Sequence, residues 1–193
     1  MTDGPGTATG QAALSGSFSV ERDLPASPDR VFAAYAEPRL RRRWLRIPGS
    51  ADAHYELDFR PGGGEVRRGR FAPNGIAGTE ELIEYRSVFW DIVPGTRLVF
   101  GYELVLDGVR RWVSLVTVEL PAWPGGEGTR LRHTEQYVLL AYADDGAREI
   151  AHLQGSTSLQ LNGLAAALSG PQPTRRAAAT RAATRRTPMP PAR

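Results

Sequence analysis

Between Ala53 and Leu139 apolar and polar residues exchange places at nearly every second position, and short turn-like segments separate the alternating runs. A period of two is the signature of strands with one buried face. After Asp144-Asp145-Gly146 the period changes. Ile150, Leu153, Thr157, Leu161, Leu164 and Leu168 then recur at steps of three or four, the spacing of one helix face. Strands linked in sequence by tight turns pair as an antiparallel meander. A single long helix with one apolar face must bury that face against the sheet. The expected fold is therefore α+β: a curved antiparallel β-sheet wrapped around a long C-terminal helix, with two short helices after the first strand.

The individual elements follow from local chemistry. Phe18 and Val20 alternate with Ser19 and Glu21 over residues 17–23, a first strand. Ser27-Pro28-Asp29 is a helix start, with Ser as N-cap and Pro at the first helical position. Val31, Phe32, Ala34 and Tyr35 form the buried stripe of that helix, and Pro38 to Leu45 restarts a second short one. Tyr55, Leu57 and Phe59 share a face before Pro61-Gly62-Gly63-Gly64, a hairpin turn with several glycines free to take positive φ. The return strand, Glu65 to Phe71, is unusually polar. Ala72 to Thr79 is a loop containing Asn74-Gly75. The next strand lies within Glu80 to Ile92, with Val88, Trp90 and Ile92 on one face and Ser87, Phe89 and Asp91 on the other. Arg97–Leu106 and Arg110–Leu120 flank an Asp107-Gly108 turn. The last strand, Thr129 to Leu139, puts Leu131, His133, Glu135 and Tyr137 on one face.

Composition bounds the function. With no cysteine, the chain has no disulfide, thiolate metal site or cysteine nucleophile. Its N-terminus lacks the basic and apolar regions of a signal peptide, and no apolar run approaches the length of a membrane span, so the expected location is cytoplasmic. The net charge is +3, yet all six basic residues of 171–193 are Arg with no acid among them, which leaves +3 − 6 = −3 on residues 1–170. A mildly acidic body argues against nucleic acid as a partner. Residues 1–16 read as a flexible leader, 17–170 as the domain and 171–193 as a low-complexity tail that is either a solvated coil or a weak contact for phosphates.

Several motifs together resemble the Bet v 1-like (START, SRPBCC) superfamily and, within it, the proteins like the activator of Hsp90 ATPase homologue (AHSA1). They are Leu24-Pro25-Ala26-Ser27-Pro28-Asp29 running into Val31-Phe32; Pro38-Arg39-Leu40 to Trp44; Asp58-Phe59-Arg60-Pro61-Gly62-Gly63; Phe89 to Phe100 around Pro94-Gly95; Gly128-Thr129-Arg130-Leu131; and the helix from Gly155 to Leu168. Ser156 stands where the family pattern carries Trp. The resemblance covers residues 17–169 and implies a helix-grip fold with a cavity between sheet and helix.

The candidate lining of that cavity is Tyr55, Phe59, Trp90, Phe100, Tyr102, Trp112, His133, Glu135 and Tyr137, with Leu57, Val88, Val116 and Leu131 on the same face. Such a set either packs a plain core or walls a pocket for a small apolar or amphipathic ligand. His133 and Glu135, two apart on a strand, point the same way. They could satisfy each other, anchor the polar end of a ligand, or act as general acid and base. The last option corresponds to the polyketide cyclases and aromatases that the superfamily contains. The three histidines show no metal-ligand spacing and no cofactor motif is present. Arg39, Arg41, Arg42, Arg43 and Arg46 around Trp44 form either a solvated helix face or a site for an anion or protein partner, as a chaperone co-factor would need. A homodimer is left open.

Overall fold

The computed structural model describes residues 11–45, 53–72, 78–125 and 127–169. The elements run in the order β1 (Leu14–Leu24), α1 (Pro28–Ala36), α2 (Pro38–Trp44), β2 (His54–Leu57), β3 (Glu65–Phe71), β4 (Glu81–Val93), β5 (Arg97–Leu106), β6 (Val109–Glu119), β7 (Thr129–Leu139) and α3 (Ala147–Ser169). All seven strands form one antiparallel sheet, β1-β7-β6-β5-β4-β3-β2. The expected architecture is present, helix grip included. β1 begins at Leu14 rather than Ser17, and Leu14 pairs with Leu139. Residues 1–10 of the expected leader, Asn74-Gly75, Arg46 and the tail from 170 onward lie outside the described residues.

Pro28 opens α1 as expected. Ser27 has the extended backbone of an N-cap, but its hydroxyl makes no capping bond. Pro61 to Gly64 does join β2 to β3, and it also docks onto β4. The amide of Gly62 donates to the Phe89 carbonyl, and the Phe89 amide donates to the Gly63 carbonyl. Gly62 sits at φ +79, and a Cβ on Gly64 would lie 2.0 Å from the Ser87 carbonyl oxygen, so side chains are excluded there by two different constraints.

α3 lays Leu153, Thr157, Leu161, Leu164 and Leu168 onto the sheet, the stripe read from the sequence. Two separate clusters form the core. One gathers α1, α2 and the C-terminal half of α3 over Leu98, Phe100, Val116 and Leu131. The other holds Trp112, Tyr137, Leu139 and Leu153. Space is left between them. Among the described residues no helix is long and apolar enough to cross a membrane.

Candidate ligand cavity

The space between the two clusters is a cavity of about 440 Å³ under α3. Phe100, Val116 and Leu161 close it on the side of the first cluster and Trp112 on the side of the second. His152, Ser156, Thr157 and Gln160 of α3 form its roof. Ser156 therefore leaves open the space that an indole at this position would fill.

Of the expected lining residues, Phe100, Tyr102, Trp112, His133 and Glu135 wall the cavity. The other four do not. Phe59 packs edge-on against Phe32 and Phe89 in the core. Tyr55 lies beneath the exposed Arg42 guanidinium, 4.6 Å from its ring. Tyr137 is buried in the second cluster beside Gly16. Trp90 is a correction of a different kind: it is 59% exposed and lies on the opposite face of the sheet, against Gly101, together with Val88. The cause is a β-bulge. Phe89 pairs with Phe100 and Asp91 with Val99, so Trp90 is an extra residue and the inward parity changes there. Before the bulge Tyr85, Ser87 and Phe89 face in; after it Ile92 packs on the core. A wider, open depression of about 1160 Å³ runs along that outer face past Trp90 and Leu115.

One end of the cavity carries the predicted polar network. The Tyr102 hydroxyl donates to Glu135 Oε1 at 2.5 Å and accepts from Trp112 Nε1 at 3.2 Å. Glu135 Oε2 lies 3.2 Å from His133 Nε2 and accepts from the Thr157 hydroxyl at 3.4 Å. Glu135 is 1% exposed, so these partners replace its water shell. Burial and the adjoining Glu135 carboxylate hold the Tyr102 phenol well above its ordinary range, so it stays a donor.

The opposite end holds a second network that the periodicity did not point to. Arg41, read as part of an exposed cluster, is buried, whereas Arg39, Arg42 and Arg43 are exposed. Its Nη2 donates to Glu65 Oε2 at 2.6 Å and its Nε to Oε1 at 3.1 Å, a bidentate pair. The guanidinium is packed between Tyr35 and Trp44, 5.2 and 5.0 Å from their ring centres. Burial opposes both charges. For Glu65 the Arg41 and Arg67 guanidiniums outweigh it and keep the carboxyl below its usual range; Glu65 likewise keeps Arg41 ionised. Arg67 lies over the Tyr85 ring at 3.8 Å, and Tyr85 stacks on Tyr102 at 5.0 Å, which connects the two ends of the cavity. Burial first, and Glu65 next, push the Tyr55 phenol up to about 12. A signal for this network exists in the sequence. Leu57 pairs with Glu65 and Tyr55 with Arg67, so side chains opposite an inward pair must also face inward.

This geometry has relatives. A family model for activator of Hsp90 ATPase homologue 1-like proteins matches residues 25–169. The chain belongs to this family. Two solved structures are similar at the level of sequence as well as fold. Mll3558 from Rhizobium loti is 39% identical, covering 81% of this chain and 99% of that one, with a TM-score of 0.65. An uncharacterised protein from Rhizobium leguminosarum is 37% identical over 81% of this chain and 96% of that one, with a TM-score of 0.66. CalU16 from Micromonospora echinospora is 18% identical over 82% of this chain and 87% of that one, TM-score 0.53, a likeness of fold alone. No curated protein matches the chain. Among the described residues no three His, Asp or Glu side chains gather as a metal site would require.

Proposed function

We propose that this family member binds a small amphipathic molecule in the cavity between the sheet and α3. The observation that supports this best is the cavity itself, about 440 Å³ of space between two otherwise filled core clusters. Closely packed interiors leave few voids larger than a water molecule, and this one has aromatic walls with polar groups at both ends, the composition of a ligand pocket. Trp44 and Trp112 line it and report on occupancy. Native mass spectrometry of the purified protein should reveal a bound small molecule. Titration with apolar dyes and lipids should quench tryptophan fluorescence saturably, one to one; flat traces over the whole panel would remove the reading.

A second reading, cyclase-like proton transfer, is favoured by one arrangement: Glu135 and His133 are adjacent and both face the cavity. It expects Glu135→Gln to stop turnover of a polyketide-type substrate while leaving its binding intact. Unchanged turnover in that variant would end it. Binding is preferred because both Glu135 oxygens already have protein partners.

A further inference from the structure

Among the described residues, one cation of the cavity wall forms no ion pair. Arg41 and Glu65 neutralise each other in a bidentate pair. Glu135 is held at the far end by Tyr102, His133 and Thr157. Arg67 is different. It lines the cavity, is only 9% exposed, and its Nε has no hydrogen-bond partner. Among the described residues no carboxylate stands at salt-bridge distance from it: Glu65 is engaged by Arg41 and acts on Arg67 at longer range, and neither Glu81 nor Glu135, the two acids of the wall, is paired with it. Its close contact is the Tyr85 ring. A buried cation without a counter-charge is strongly unfavourable, and a cation–π contact offsets only part of that. Beside it, Arg41 Nη1, the nitrogen that Glu65 does not engage, also lacks a partner.

We infer that Arg67 is the receptor for the anionic head of the guest, and that the cavity selects small monocarboxylic acids with an apolar body. This rests on the ligand-binding reading above. The guanidinium fork matches a carboxylate geometrically. One unengaged guanidinium fork accommodates one carboxylate, whereas a second acid group on the guest would meet Glu135, already held by protein partners, instead of a cation. The body then lies along Phe100, Trp112 and Leu161. The 440 Å³ equals on the order of 15 water volumes, so the acid has on the order of 10–15 non-hydrogen atoms.

The test compares two probes with the same body, decanoic acid and 1-decanol, titrated calorimetrically near neutral pH into the full chain and into Arg67→Met. Wild type should prefer decanoate by about 10- to 100-fold, the range for a hydrogen bond to a charged group. Arg67→Met should lose that preference while still binding decanol. Arg67→Gln provides a second neutral variant, and Arg42→Gln, which removes an exposed charge outside the cavity, should keep the preference. Equal affinities in wild type, or a preference that survives in both Arg67 variants, overturns the inference and leaves the cavity reading standing. Binding of neither probe overturns both.

Discussion

Replacing Glu65 by Gln isolates the energetics of the buried charge cluster. Glu65 is fully buried and accepts two hydrogen bonds from Arg41. The substitution keeps shape and size but removes the negative charge paired with Arg41, with Arg67 nearby. Breaking a buried ion pair by removing one partner destabilises by about 3–5 kcal/mol, because the other charge stays buried and uncompensated. That is a large share of a total of about 5–15 kcal/mol for a domain. At roughly 2–4 °C per kcal/mol for a chain of this size, the melting temperature should fall by roughly 6–20 °C. Urea unfolding, read by circular dichroism, should give the same loss without a change in slope. The pH dependence carries a sign. The folded-state pKa of Glu65 lies below the ordinary 4.5, so its stabilisation is fully present above that value and is lost as pH falls through the depressed folded pKa. The variant should lack this acid-sensitive component, and the two stabilities should converge in acid. The double variant Arg41→Met with Glu65→Leu, which removes both charges, should recover most of the loss. A single variant melting within about 2 °C of wild type would refute the reasoning.

Other perturbations have similarly defined outcomes. Ser156→Trp should fill the cavity, abolishing decanol binding by calorimetry while the melting temperature holds or rises; retained binding would contradict the placement of Ser156 in the wall. Gly64→Ala should destabilise by about 3 kcal/mol in urea titrations, since the new Cβ meets a backbone carbonyl that cannot move aside. Tyr102→Phe removes the donor to Glu135 and the acceptor for Trp112, and should lower stability by about 2 kcal/mol with a red or blue shift of Trp112 emission.

Much of the fold was legible because it rests on periodicity. β5 and β7 begin and end where the alternation does, and the stripe of α3 is drawn from the residues at helical spacing. Alternation fails at Trp90, where one inserted residue inverts the face of everything before it, and no local signal marks the insertion. Within the cavity, His133, Glu135 and Tyr102 were readable as inward residues of regular strands. Arg67 was readable only through its place opposite Tyr55 across the hairpin, and Arg41 was not, because an arginine is read as exposed unless a partner is known, and its partner Glu65 belongs to another element. The polarity of β3 was visible; its cause was in another element.

The pairing of β1 with β7 bears on how the chain acquires its structure. Leu14 has no hydrogen-bonding neighbour in the sheet until Leu139 exists to meet it, so the first strand made during synthesis is among the last to be satisfied. Such distant closure makes folding slow, with an exposed strand waiting on the ribosome for nearly the whole domain to emerge.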